Sequence, residues 1–293
     1  MVGSRQTTVI RALTRTHLAA LAGVVDADAL PGQPGCRVGA LLGATGLRPT
    51  GSDLRTGAAL GQVGTVRDWQ TLVAISDEVL GAVCFGRSDG GRVGTIRWLH
   101  AREDPAVVAD LLDQALARLS GGRVIEAFVA DGIDPLVAGL PDDRDATREA
   151  LAERGFTGKQ AGRFLYRALQ APPAAGDSCA VQVVAVGNER RLSIAGPSGD
   201  QVAKATISVL APGHGVVDWI EVHPAHRGQG LGGRLLKACL RLMYHLGVRH
   251  VVGLLDDHNL DADDGHGRIG AHIVTSRAGF VTGAHLATYR RTR

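Results

Sequence analysis

The stretch Trp219–Leu246, WIEVHPAHRGQGLGGRLLKACLRLMYHL, leaves few folds open. An apolar, β-branched run ends at His223-Pro224 and reads as a strand stopped by the proline. Gly228, Gly230, Gly232 and Gly233 follow closely. From Gly230 to Leu246 apolar residues recur at helical spacing, and Gly247 serves as the C-cap. A strand, a glycine-rich turn and a helix in this order make an anion cradle. Glycine accepts positive φ and lets the backbone approach a ligand closely. Amides of the turn and the first helical turn then converge on phosphate oxygens, and the helix dipole adds attraction. Arg227 and Arg234 supply positive charge nearby.

Spacing narrows the choice of anion. No G-x-x-x-x-G-K-[ST] run occurs, which excludes a P-loop. Gly228, Gly230 and Gly233 fit the glycine spacing of a dinucleotide fold. The acidic residue expected about twenty positions on has only Asp256 and Asp257 as late candidates. The motif also lies in the middle of its unit, where a dinucleotide fold would not place its first turn. The order strand, His-Pro, Arg227, Gly230, Gly232 meets the pattern Q/R-x-x-G-x-G/A. On these residues the C-terminal region, roughly 179–293, resembles the GNAT acyltransferases. The resemblance extends to the Gly279-Phe280 pair and the strand after it. It implies acetyl-CoA as acyl donor and transfer of the acetyl group to a primary amine. It assigns the pyrophosphate to Arg227, Gly228, Gln229, Gly230, Leu231, Gly232 and Gly233. It assigns the pantetheine arm to the strand end from Ile220 to Val222, where the strand splays from its neighbour.

Acyl transfer to an amine needs a base for the ammonium proton, often acting through water. Asp218 matches the strand position where the family often carries such a group, and Glu221 is the second candidate. Either could instead be a solvated strand carboxylate, and Glu221 could pair with Arg227. His223 reads as a turn residue before Pro224. The resemblance also implies a Tyr four residues before the Gly-Phe pair as acid for the leaving thiolate. Thr275 stands there instead, with Ser276 and His272 as substitutes or with Thr275 in a capping role. Cys239, mid-helix, reads as a buried small hydrophobe, and Tyr244 and Tyr289 as core. Without an acid, a non-catalytic acyl-CoA-binding sensor is the alternative function.

The chain shows signs of internal duplication. ALAERGFTGKQAGRFLYRAL (Ala150–Leu169) and IVTSRAGFVTGAHLATYRR (Ile273–Arg291) share a helix, Gly-Phe and a strand, with Gly155 and Gly279 offset by 279 − 155 = 124. Trp98 in TIRWLH and Trp219 in VVDWIEVH are offset by 219 − 98 = 121. Two matches at nearly one offset point to two copies of one unit. The proposed bounds are 1–170, a linker at 171–178 (APPAAGDS) and 179–293. The fold class is α/β (α+β): two tandem GNAT-like units, each a mixed, mostly antiparallel sheet flanked by helices. The plan, with a working C-terminal unit, is similar to that of mycothiol synthases. Subtracting 121 from 227, 230 and 232 gives Ala106, Ala109 and Leu111, with Asp104 and Asp110 nearby. This predicts a first unit without a coenzyme site, one that supplies walls for the acceptor.

In unit order, the patterning predicts strands at 8–12, 70–76, 79–86, 92–99, 123–130 and 160–169, with helices at 16–30, 104–119 and 145–154. Residues 35–65 carry no decisive pattern. The second repeat reads as strands at 180–186, 190–195, 201–210, 215–222, 249–255 and 283–290, with helices at 230–246 and 268–278.

Net charge is +3 with no long basic run, which argues against nucleic acid as partner. The apolar run Leu18–Val25 is too short to cross a membrane. Cys36, Cys84, Cys179 and Cys239 form no metal or disulfide signature, so no metal is expected and a reducing cytoplasm is the default. The preference for Arg over Lys resembles that of GC-rich bacterial genomes. The partner implied is a small-molecule or peptide amine, with a homodimer left open. Asp256, Asp257, Asp261, Asp263 and Asp264 form an acidic loop, which suggests a cationic acceptor.

Overall fold

The computed structural model describes residues 8–47, 69–88, 91–129, 139–173, 181–256 and 266–292. Packing divides the chain into two compact units. Unit 1 comprises Met1–Ala29, Gly35–Gln160 and Leu286–Arg293, and unit 2 comprises Leu30–Pro34 and Ala161–His285.

Unit 1 begins with β1 (Val9–Ala12), α1 (Leu18–Ala27) and α2 (Val38–Ala44). Strands β2 (Gln70–Ile75), β3 (Val79–Arg87) and β4 (Val93–His100) continue an antiparallel meander. Helix α3 (Pro105–Arg118) crosses to β5 (Val124–Ala127), which pairs parallel to β4. Short β6 (Leu140–Pro141), α4 (Asp145–Glu153) and the start of β7 (Thr157–Ala168) follow. Both sheet faces are covered. Val83, Phe85 and Ile96 pack with Leu111 and Leu112 of α3, while Ala82, Cys84 and Trp98 pack with Leu21 and Leu41 of α1 and α2. Burial on both faces is why these strands read as continuous apolar runs.

The helix expected over 16–30 is shorter than its pattern. A 3-10 turn at Arg15–His17 precedes α1, which ends at Ala27. Asp28 leaves the helix because its buried carboxylate is held elsewhere, 3.1 Å from His100 Nδ1 and 3.2 Å from an Arg144 terminal nitrogen. Helix α2 lies where the sequence showed no decisive pattern, and residues 48–68 of that stretch lie outside the described residues.

Unit 2 repeats the plan. Strands β8 (Val181–Val186), β9 (Glu189–Ala195), β10 (Gln201–Ala211) and β11 (His214–Val222) form the meander. Helix α5 (Leu231–His245) crosses to the parallel strand β12 (His250–Asp256), and α6 (His266–Arg277) and the start of β13 (Val281–Thr292) complete the unit. Leu235, Leu236, Cys239, Leu240 and Met243 of α5 are buried against Leu192, Ile194, Ala205 and Ile207. The turn Gly187-Asn188 joins β8 directly to β9, so no helix separates them. Val183, Val184 and Trp219 remain exposed. Among the described residues, no helix is long and apolar enough to cross a membrane.

These units divide the chain differently from the sequence repeats. In unit 1 the place beside β5 is filled by the chain's last strand, with Tyr289 opposite Ala127 and Thr292 opposite Val124. In unit 2 the place beside β12 is filled by β7, with Leu165 opposite Gly253 and Ala168 opposite His250. Each repeat gives its final strand to the unit built mainly by the other. A break at the linker would therefore leave β5 paired only with β4 and β12 only with β11, each with one open edge, and an unpaired edge invites aggregation. Fragments 1–173 and 174–293 expressed separately should be aggregated or lack dispersed amide NMR signals, and mixing them during refolding should restore both. A well-dispersed spectrum from either fragment alone would contradict this exchange of strands.

Candidate functional site

The strand, glycine turn and helix predicted around Gly230 lie in unit 2. β11 ends at Val222, and a 3-10 turn at Pro224–His226 follows. His223 caps that turn, its Nδ1 accepting from the Ala225 amide at 3.4 Å, which is the turn role read from its place before Pro224. Arg227 is extended, and its Nε donates to the Val222 carbonyl at 3.3 Å. Gly228 and Gly230 take φ of +78° and +75°. Those values turn the chain into α5 and suit glycine, since other residues pay a steric penalty there.

Gly230 is the N-cap of α5, and no side chain caps the helix. A β-carbon added at Gly228, Gly230 or Gly233 would meet nothing within 4 Å. Among the described residues no side chain caps the first-turn amides of Leu231, Gly232 and Gly233. That is the donor array a pyrophosphate requires. Leu231 itself points into the core, so only its backbone can serve the cradle.

The strand end beside the cradle is open as well. β11 and β12 pair from His214–His250 only as far as Val217–Gly253, although β11 continues to Val222 and β12 to Asp256. Backbone groups of Asp218 to Val222 therefore face a gap on the β12 side, while their other edge pairs with β10 up to Ala203–Val222. The side chains of Ile220 and Val222 pack on the core. Both expected pantetheine residues therefore lie along the gap.

Asp218 occupies a β-bulge. Thr206 pairs with Trp219 and Ile207 with Val217, which leaves Asp218 as the extra residue. Bulges re-aim a side chain and recur beside active sites. The Ser208 hydroxyl donates to Asp218 Oδ2 at 2.7 Å. Asp218 is exposed at its outer side, but neighbouring groups partly desolvate its carboxyl and raise it above its ordinary value; Glu189 adds to the rise, and the Ser208 bond opposes it. Glu221 is differently placed. Its carboxylate is 3.0 Å from Lys204 Nζ, and Lys204 also stands over the Trp219 ring at 5.1 Å. Both members of that ion pair are about half exposed, so it adds little stability but keeps a cation on Glu221.

Ser208 and Lys204 were not singled out in the sequence. Counting back from the Pro212-Gly213 turn puts residue 207 opposite 218 (211 + 214 = 207 + 218), and the bulges move Ser208 into reach instead. Thr275 donates to the Ala271 carbonyl at 2.9 Å and the His272 carbonyl at 3.1 Å, so its hydroxyl is engaged by its own helix. Ser276 and His272 contact each other at 3.4 Å. Burial pushes the Cys239 thiol up to about 12, consistent with a core role. Tyr244 packs beside the unit 2 core under Arg249, and Tyr289 packs against the unit 1 core. The acidic loop from Asp257 to Asp264 lies outside the described residues.

Unit 1 fills the same features with its own groups. The loop before α3 has four residues (105 − 100 − 1), against eight before α5 (231 − 222 − 1). A uniform offset of 121 therefore fails here, and the counterpart of the N-cap Gly230 is Asp104 rather than Ala109. Asp104 accepts from the amides of Ala106 at 3.0 Å and Val107 at 3.2 Å, and Pro105 has no amide hydrogen. Leu99 is the counterpart of Ile220 (220 − 121 = 99), and its carbonyl already accepts from Arg144 at 3.2 Å.

Residues 185–270 match the family model for the acetyltransferase (GNAT) family. No curated protein matches the chain. Among solved structures, the chain is similar to a tandem GNAT protein from the clavulanic acid biosynthesis pathway, with 15% identity over 98% of each chain and a TM-score of 0.65. It is also similar to a GCN5-related N-acetyltransferase from Sphaerobacter thermophilus, with 13% identity over 97% of this chain and 95% of that one and a TM-score of 0.63. A glucosamine N-acetyltransferase region of a fungal multi-domain β-N-acetylglucosaminidase matches 99% of this chain with 38% of its own, at 13% identity and a TM-score of 0.60. At these identities the structures establish a shared tandem fold.

The cradle geometry makes opposite predictions for two neighbouring glycines. Gly233→Ala should stabilise the protein by up to about 1 kcal/mol, because the site is helical and open. Gly230→Ala should destabilise it by about 1 kcal/mol, because alanine resists the left-handed conformation. Urea denaturation of both variants checks the pair. Equal shifts of the same sign would contradict the turn.

Proposed function

We propose that residues 185–270, a domain of the acetyltransferase (GNAT) family, make unit 2 an N-acetyltransferase that moves an acetyl group from acetyl-CoA to a primary amine. The observation that carries the proposal is a juxtaposition along one strand. The uncapped amides of α5, the unpaired edge from Asp218 to Val222 and the Asp218 carboxylate at the bulge lie in sequence on β11 and its turn. Open space before the glycines fits a pyrophosphate. Leu231, Gly232 and Gly233 would donate amides to it, with Gly228, Gln229, Gly230 and Arg227 shaping the turn. Ile220 and Val222 would offer backbone groups to the amides of the pantetheine arm.

In this reading Asp218 takes the proton of the incoming ammonium, directly or through water. The amine nitrogen then bonds to the acyl carbon and gives up a second proton to solvent, the carbon–sulfur bond breaks, and solvent protonates the released thiolate. Glu221, with Lys204 upon it, is the weaker candidate for the base. A cationic acceptor remains part of the proposal. Asp218 and the nearby Glu189 favour positive charge at the mouth of the gap.

Two experiments test the reading. Gly230→Asp would place a carboxylate at the N-cap, the arrangement that Asp104 shows in unit 1. It should weaken coenzyme A binding about 100-fold or more by calorimetry, since the donors are claimed and the charge repels. Undiminished affinity would remove the cradle from the proposal. For the base, Asp218→Asn should lower kcat for amine acetylation roughly 100-fold while coenzyme A affinity is kept. The active form is the carboxylate, so kcat should fall as pH drops through a value above the ordinary carboxylate range. Ser208→Ala removes the bond that holds this value down, and the same limb should move to higher pH. An unaltered profile in both variants would dismiss Asp218. Tight coenzyme binding without thiol release across a panel of amines would select the sensor instead.

A further inference from the structure

The bulge that presents Asp218 recurs in unit 1 with the opposite charge. Cys84 pairs with Trp98 and Phe85 with Ile96, so Arg97 is the extra residue of β4. The offset, 218 − 97 = 121, equals that of Trp219 and Trp98. Asp218 is exposed, whereas Arg97 is 7% exposed and packed beneath the helices of unit 1.

The surroundings of Arg97 hold more donors than acceptors. Three groups converge on the Ala44 carbonyl: an Arg97 terminal nitrogen at 3.5 Å, Trp98 Nε1 at 3.3 Å and Cys84 Sγ at 3.4 Å. A carbonyl oxygen has two lone pairs, and the contact to Arg97 is the longest of the three. The next carbonyl, that of Thr45, accepts from the Thr71 hydroxyl at 2.9 Å. Arg97 Nε and the Thr45 hydroxyl are both buried without a hydrogen-bond partner. Among the described residues no carboxylate lies within ion-pair distance of Arg97, and its other neighbour is the Trp69 ring, 5.1 Å from Cζ. A desolvated guanidinium without a counter-charge is costly, and an aromatic face offsets only part of that cost.

We propose that unit 1 binds a small oxyanion at Arg97, a carboxylate-bearing molecule in the first instance. Nε and a terminal nitrogen of Arg97 form the fork that grips it, and the Thr45 hydroxyl donates a further hydrogen bond. The missing component is an acceptor with negative charge, and a planar carboxylate matches a guanidinium edge in two parallel hydrogen bonds. Trp69, partly exposed, is the side chain that shifts to admit the ligand. The site is separate from the acetyl transfer assigned to unit 2 and does not depend on it.

The test titrates the full-length protein with acetate, succinate, citrate and inorganic phosphate while following tryptophan fluorescence. At least one probe should give a saturable change, and Trp69→Phe should remove it. Arg97→Gln should weaken that probe about 10- to 100-fold, the worth of charge-assisted hydrogen bonds. Thr45→Val keeps the charge and should weaken it by about tenfold or less, which keeps the test decisive if Arg97→Gln does not fold. A carboxylate binding more tightly than phosphate identifies a carboxylate ligand, and the reverse order identifies a phosphorylated one. No saturable response with any probe, or a response that Arg97→Gln and Thr45→Val leave unchanged, overturns the proposal.

Discussion

The parting of two parallel strands governs both units. Backbone amides and carbonyls must be paired, and a strand that leaves its neighbour exposes a row of them. In unit 2 the row begins after Val217 and nothing fixed in the described chain replaces β12 along it. In unit 1 it begins after Ile96, where the Phe128 amide makes the last contact to β4 at 2.9 Å. There Arg144 reaches the Leu99 carbonyl, and its charge is balanced by Asp28 and Glu103. The same gap is open along β11 in one unit and bridged by Arg144 in the other.

The helix that follows each gap shows the same division. An α-helix begins with amides that need acceptors. α3 satisfies its own with the Asp104 carboxylate and starts on a proline. α5 starts on glycine, without a side-chain cap. Glu103 is held at a positive φ of 53° while its carboxylate receives the Thr147 amide and hydroxyl at 3.0 and 2.6 Å. A non-glycine residue in that conformation is strained, and the bonds to α4 and Arg144 hold it there. Where unit 2 leaves these groups open, unit 1 thus has internal hydrogen bonds.

Much of this was legible in the sequence. Strand and helix positions follow apolar periodicity, and Gly228 to Gly233 announce the turn because backbone at positive φ leaves a compositional trace. The bulges at Arg97 and Asp218 were hidden, since one extra residue in a strand changes no composition. They still preserve the offset of 121 between the two units. The exchange of final strands was equally hidden. Residues 157–168 and 281–292 have the same pattern whichever β-edge they join. The four-residue difference in loop length, with strand ends offset by 222 − 100 = 122, also misdirected the offset beyond Leu99, by five positions to Ala109 instead of Asp104. Side chains that matter through tertiary contact alone, such as Arg144 and Ser208, had no local signal.

Charge inversion at the shared bulge links these features. The bulge aims two consecutive residues at one face, as the convergence of Arg97 and Trp98 on Ala44 shows. In unit 1 that face lies under α1 and α2, so a charge there is desolvated, and among the described residues no carboxylate offsets it. In unit 2 no helix separates β8 from β9, Trp219 is exposed, and Asp218 keeps contact with water while Ser208 holds its orientation. The proposed role of Asp218 as base, taking and releasing a proton each turnover, requires that access. A guanidinium stays protonated at neutral pH and suits holding an anion rather than transferring a proton. The two units therefore share a scaffold position that differs between them in burial and in the sign of its charge.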